Sequence, residues 1–143
     1  MVETSKPDPD KIRQKVQFLR DALRQLEQIR ERGEPEVVGD PILQAAAIRY
    51  LQVGIEAVLD TANHIIARGG LGLPKTYHEA LELLFQEGIL PAEKAGDFGE
   101  MVGFRNRAVH LYQQIEPAEV WKILEEDLED FELFIRAMVE RYL

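Results

Sequence analysis

Cysteine is missing from all 143 residues. That absence excludes a disulfide scaffold, thiol catalysis, and zinc or iron–sulfur sites built on thiolates. Basic charge is also short: 17 Lys and Arg face 26 Asp and Glu, for a formal charge of −9. A globally basic nucleic-acid coat is thereby excluded, whereas a local basic pocket is not. The deficit is uneven, because residues 116–143 hold 9 acidic and 3 basic side chains. An anionic ligand is expected to dock away from that segment. No apolar run approaches the roughly 20 residues of a membrane span. Met1–Asp10 (MVETSKPDPD) has no apolar h-region, so it does not read as a signal peptide. The chain is expected in the cytoplasm, with no membrane partner. Strict apolar–polar alternation, the mark of a half-buried strand, is absent as well.

What is present is helical spacing. The length suits one domain, taken as residues 1–143 with 1–10 as a flexible extension. Val16, Leu19, Leu23, Leu26 and Ile29 follow a 3/4 spacing that predicts an amphipathic helix from about Asp8 to Arg32. Gly33-Glu34-Pro35 is expected to stop it. Asp40-Pro41 reads as an N-cap with Pro at the first helical position, opening a long helix to about Arg68 that Gly69-Gly70 closes. Thr76-Tyr77-His78-Glu79 reads as a capping box for a third helix, Tyr77–Gln86. Pro91 opens a fourth, from about Ala92 to Tyr112. Pro117 starts a fifth that carries an apolar stripe from Val120 through Leu128 to Ile135. About five helices with short connections predict an all-α, antiparallel helical bundle.

Two helix faces depart from simple amphipathicity. In the long helix, Ile48, Leu51, Ile55, Leu59, Ala62 and Ile66 gather on the side expected to face the core. Arg49, Val53, Glu56, Asp60 and Asn63 form a second stripe roughly opposite. Glu56 and Asp60 lie four residues apart, where like charges repel mildly. They are either part of a solvated face or a pair awaiting a cation from another helix or subunit. In the fourth helix, Arg105 sits within a stripe of Phe98, Met101, Val102, Val109 and Tyr112. An Arg there must be paired, snorkel, or face a partner or ligand. It is either a bundle ion pair with Glu56 or Asp60, or an arginine held for a phosphate. His110 follows five residues later, about 140° round an unbroken helix. Arg105 and His110 therefore cannot share one narrow face unless the helix distorts or another subunit completes the site. Arg105 and Tyr112, seven apart, are expected on nearly one line.

The segment Met101–Tyr112, MVGFRNRAVHLY, resembles the signature of HepT-like toxins in the HEPN superfamily: Arg, four residues, His, one residue, Tyr. Its context is similar too. RYLQVGIEAVLDTANHIIA at Arg49–Ala67 resembles the family's long helix. GLGLPKTYHEALELLFQEGIL at Gly70–Leu90 and the acidic C-terminal helix also look familial. The resemblance spans about residues 10–142.

The resemblance implies a HEPN-like bundle that forms a homodimer, with motifs from two subunits meeting in one cleft. It implies a metal-independent ribonuclease needing no cofactor. His110 would be the general acid or base as the ribose 2′-hydroxyl attacks phosphorus, and an imidazole suits that work at neutral pH. Arg105 would hold the phosphate and offset charge in the transition state. Asn106 would position His110 or the phosphate, Arg107 would extend the phosphate contacts, and Glu56 or Asp60 would orient Arg105 or His110. Tyr112 corresponds to the residue that accepts AMP from a cognate minimal nucleotidyltransferase antitoxin, which silences the toxin. His64 and His78 read as structural or surface residues, and with Tyr77 and Trp121 they show no convergent pattern. The alternative is a non-catalytic HEPN helical module that binds a nucleotide or a nucleotidyltransferase partner.

Overall fold

The computed structural model describes residues 6–143, and among them the secondary structure is helical. Helix α1 (Pro9–Glu31) begins where Asp8 accepts a hydrogen bond from the Asp10 amide at 2.9 Å. The expected flexible extension is therefore shorter on its described side: Pro9 and Asp10 are already helical. The Asp8 amide donates to His64 Nε2 at 2.9 Å, and Arg68 Nε donates to the Lys6 carbonyl at 3.2 Å. Residues 1–5 of that extension lie outside the described residues.

Gly33, with φ +88°, ends the approach to a short α2 (Glu34–Gly39). The sequence here predicted only a stop. Pro35 instead occupies the first turn, where its missing N–H costs no helical bond. Val37 from this turn is fully buried. Helix α3 (Pro41–Gly69) begins as expected, with Asp40 accepting from the Ile42 amide at 2.9 Å, and ends at Gly70 in the left-handed region, φ +62°.

Helix α3 is the centre of the bundle. Ile48, Leu51, Ile55, Leu59, Ala62 and Ile66 are all buried, as their spacing predicted. An 18-residue window of α3 reaches a mean hydropathy of 1.3, so by length and composition it could cross a bilayer. Run length had not signalled this, because Arg49, Glu56 and Asp60 interrupt the apolar sequence. In the fold those apolar side chains meet other helices. The α1 N-terminus lies beside the α3 C-terminus through Asp8–His64 and Lys15–Asp60, so the two run antiparallel. Close approach is allowed at Gly54, where an added Cβ would lie 3.4 Å from Leu19 and 3.6 Å from Phe131.

Helix α4 (Tyr77–Gln86) is capped by Thr76 Oγ1, which accepts from the Glu79 amide at 3.1 Å. Glu79 reaches back to the Lys75 amide at 2.6 Å, completing a box one residue wider than expected. A 3₁₀ turn at Ala92–Lys94 leads into α5 (Ala95–His110), whose Phe98 packs edge-on against Phe85 at 5.8 Å. The expected fourth helix thus starts later and stops earlier. Leu111 leaves helical geometry (φ −134°, ψ 39°), and Tyr112–Gln114 forms a separate 3₁₀ turn anchored by buried Ile115.

The expected fifth helix is two, α6 (Pro117–Glu126) and α7 (Leu128–Tyr142), broken at Asp127. Val120, Leu124, Leu128 and Phe131 remain buried across the break. Burial and the surrounding carboxylates Asp130, Glu126, Glu100 and Asp97 raise the Asp127 pKa. Asp130 itself is buried and is held by Lys94 at 3.0 Å, the pairing a buried carboxylate requires.

Candidate active site

Helices α3, α4 and α5 converge on Arg105. Its Nε donates to Glu56 Oε1 at 3.3 Å, and its guanidinium lies 5.3 Å from the centre of the Tyr77 ring. Glu56 Oε1 also accepts from Gln52 Nε2, one turn earlier on α3, at 3.0 Å. Arg105 Nη1 donates to Asn106 Oδ1 at 3.3 Å. The guanidinium is thus fixed from three sides while its side chain keeps 20% of its surface exposed. A half-buried, aimed fork of N–H donors is the arrangement a phosphate recognises bidentately.

The expected partners divide. Glu56 is the carboxylate that meets Arg105. Asp60 is not brought into this group: it pairs with Lys15 of α1 at 3.4 Å. The two carboxylates are one turn apart, so a modest rotation about α3 sends one to α5 and the other to α1. Asn106 touches Arg105 rather than His110. Arg107 is engaged by Glu119 of α6 through two hydrogen bonds, at 2.9 and 2.5 Å, and lies over the Phe104 ring at 5.7 Å. Its fork is directed at α6, away from the Arg105–Glu56 pair.

His110 is the last residue of α5 and is exposed. Helix α5 is unbroken from Arg105 to His110, so the two side chains depart about 140° apart. One chain does not bring them together on one face. Tyr112 lies beyond the helix, in the following turn, so it does not continue the Arg105 line as its spacing predicted. The chain leaves the helix because Ile115 must reach the core before Pro117 begins α6. Val109, Leu111 and Tyr112, each more than 40% exposed, flank His110 in the sequence.

Sequence reasoning missed two members of this site. Tyr77 shows no convergent pattern in the sequence, yet its ring backs the Arg105 guanidinium. Gln52, which steadies Glu56, carried no signal beyond its i,i+4 spacing to that residue. His64 behaves as the structural residue it was read to be, accepting the Asp8 amide, and His78 lies against Gly99. Among the described residues, no three His, Asp or Glu side chains converge as a metal-holding group.

Comparison with known proteins places the chain in a family. The family model described as "Ribonuclease HepT-like" matches residues 19–138. The chain is similar to the mRNA nuclease HepT of Shewanella oneidensis, at 33% identity over 126 residues, covering 88% of this chain and 94% of that protein. It is also similar to the tRNA nuclease HepT of Aphanizomenon flos-aquae, at 33% identity over 95 residues, covering 66% of this chain and 64% of that protein. A solved structure of a tri-AMPylated Shewanella oneidensis HEPN toxin in complex with an MNT antitoxin superposes with a TM-score of 0.86 and 31% identity. It covers 92% of this chain and 98% of that one.

Proposed function

The chain belongs to the HepT-like ribonuclease family, and from that premise we propose that it is the RNA-cleaving toxin of a toxin–antitoxin pair, working in the cytoplasm. The observation that carries the reading is Arg105, half-buried and aimed by Glu56, Asn106 and Tyr77, five residues before an exposed His110 on the same helix. In the proposed reaction the ribose 2′-oxygen attacks the adjacent phosphorus, the P–O5′ bond breaks, and a 2′,3′-cyclic phosphate and a 5′-hydroxyl result. His110 takes the 2′-hydroxyl proton or gives one to the departing 5′-oxygen. Arg105 binds the non-bridging oxygens and offsets the charge that grows on them. Asn106 holds the Arg105 fork level, and Arg107 fixes α5 on α6 through Glu119. No step needs a metal.

The 140° between Arg105 and His110 is met in this reading by a homodimer formed through the helices bearing Glu56 and Arg105. Each Arg105 then works beside the His110 of a second copy, and Val109 and Leu111 become covered. Light scattering should report about twice the 16.4 kDa chain mass. A mixture of Arg105→Ala and His110→Ala proteins, each inactive on RNA alone, should regain cleavage, because a mixed dimer holds one intact pair. Silence from the mixture, with the unvaried protein active, would place both groups in one chain.

Silencing is assigned to Tyr112. A cognate nucleotidyltransferase antitoxin transfers AMP from ATP to the Tyr112 oxygen, which forms a bond to the α-phosphorus as pyrophosphate leaves. The relative solved with MNT antitoxin is tri-AMPylated, and Tyr112 is exposed beside His110. The added phosphate anion and base would obstruct RNA without refolding the chain.

A further inference from the structure

Helix α1 carries its basic residues on two different flanks. At about 100° per residue, Lys11, Gln14, Lys15 and Phe18 share an arc of about 100°, while Arg13, Arg20 and Arg24 share another on the far side of the core-facing stripe. Phe18 is 53% exposed, a costly place for a phenyl ring with nothing to cover it. Lys11 and Lys15 are one turn apart, where like charges repel unless an anion lies between them. Between this flank and α3 runs a cavity of about 310 Å³, lined by Lys11, Gln14, Lys15, Asp60 and His64. Arg68 adds a cation at the same end of α3; burial first, then Lys11 and Arg68, lower the proton affinity of His64. The nearby carboxylates are engaged: Asp8 caps α1, Asp10 binds Arg13 at 2.7 Å, Asp60 meets Lys15 at 3.4 Å, and Asp21, three residues beyond Phe18, accepts from Gln17 at 3.1 Å.

We propose that the α1 flank of Lys11, Gln14, Lys15 and Phe18, with Arg68 of α3, is a binding surface for single-stranded RNA outside the Arg105 site. The proposal rests on the ribonuclease reading and deepens it. Lysines that neutralise phosphates beside an exposed aromatic on which a base can stack are the two elements of sequence-tolerant single-strand binding. The surface is continuous with the Arg105 site: Asp60, held by α1, lies one turn from Glu56, held by α5. From Glu56 to His64 the rise along α3 is about 12 Å. A strand cleaved at Arg105 would therefore leave the dimer cleft toward the His64 end of α3 and continue onto α1. This gives a chain of net charge −9 a local purchase on a polyanion.

Fluorescence anisotropy of the full-length protein with a 2′-O-methyl RNA of about twelve nucleotides, which cannot be cleaved, tests the surface. Lys11→Gln/Lys15→Gln should weaken binding and lower the log–log salt slope by about 1.4, two single-strand phosphate contacts. Phe18→Ala should weaken it about tenfold by loss of one stacked base. Arg13→Gln/Arg20→Gln removes equal charge from the other flank and should change affinity by less than about twofold. All three variants should stay folded, melting within about 3 °C of the unvaried protein since each exposed pair lost is worth at most about 1 kcal/mol, and should keep the unvaried rate on a dinucleotide, which is too short to reach α1. Equal weakening by both double variants would mean bulk charge alone, and unchanged affinity in all three would mean no site; either overturns the surface while dinucleotide cleavage leaves the ribonuclease standing. If the unvaried protein neither binds nor cleaves RNA, the ribonuclease reading falls and the surface with it.

Discussion

Replacing Glu56 with Gln keeps the shape of the residue that aims Arg105 and removes its charge. In the native pair Nε and Oε1 are 3.3 Å apart, with 20% and 34% of the two side chains exposed. Solvent reaches both groups, so the net worth of the pair sits near the upper end of the exposed range, at about 1 kcal/mol. Unfolding entropy near the melting point is about 2.1 cal/mol/K per residue, or about 0.3 kcal/mol/K for 143 residues. Glu56→Gln should therefore lower Tm by about 3 °C, which differential scanning calorimetry resolves. The catalytic effect should be larger. Tyr77 and Asn106 still hold the guanidinium, but its tilt is no longer fixed by a charged acceptor. A loss of about 1.4 kcal/mol in transition-state binding is tenfold in kcat/KM. Arg105→Ala should cost about 10²- to 10³-fold, the scale of one lost oxyanion donor. The double variant should be no worse than Arg105→Ala, because Glu56 acts through Arg105. Faster cleavage by Glu56→Gln would refute the positioning role, since it would mean that the carboxylate merely competes with phosphate. Full activity with lowered Tm in Arg105→Ala would reduce the pair to a structural contact.

Three further outcomes follow from the same contacts. Arg105→Lys should lose about tenfold or more in kcat/KM despite retaining charge, because an ammonium cannot present the planar fork or stack as well on Tyr77; equal activity would contradict bidentate phosphate binding. Tyr112→Phe should keep its fold and most of its cleavage yet gain no adenylate from ATP and the cognate nucleotidyltransferase, as intact mass would show; modification at Tyr50, Tyr77 or Tyr142 with activity still suppressed would defeat the assignment. Burial first, then Lys11 and Arg68, holds His64 below its ordinary pKa of 6.5. The unfolded chain therefore binds the extra proton more readily, so this contribution to stability is complete above about pH 6.5 and is lost as pH falls through the lower folded value. His64→Gln, which keeps an acceptor for the Asp8 amide, should flatten that decline in chemical denaturation; an unchanged slope would show that other groups cause it.

The starts of α1, α3, α4 and α6 were legible because their chemistry is local. Asp8, Asp40 and Thr76 each accept an amide within three residues, and Pro117 stands in the first turn of α6. Breaks decided by packing were not legible. The apolar phase Val120–Leu124–Leu128 runs through Asp127, so spacing predicts one helix where there are two. Nothing of Gly or Pro type marks the end of α5 at His110; the pull of Ile115 into the core does. Glu34-Pro35 reads equally as a stop and as a first turn, and buried Val37 decides for the second. At the site, an ion pair for Arg105 was legible, but the choice of Glu56 over Asp60 depends on which side of α3 each neighbouring helix occupies. Tyr77 lies 28 positions before Arg105 and on another helix, a separation over which helical periodicity carries no information.

Incubating the purified protein with single-stranded RNA in excess EDTA, beside His110→Ala, and identifying the new ends by mass spectrometry tests the central claim most directly. The account predicts cleavage by the unvaried protein with 2′,3′-cyclic phosphate and 5′-hydroxyl ends, and a loss of about 10²-fold or more in a folded His110→Ala. Cleavage abolished by EDTA, or undiminished in His110→Ala, would contradict it.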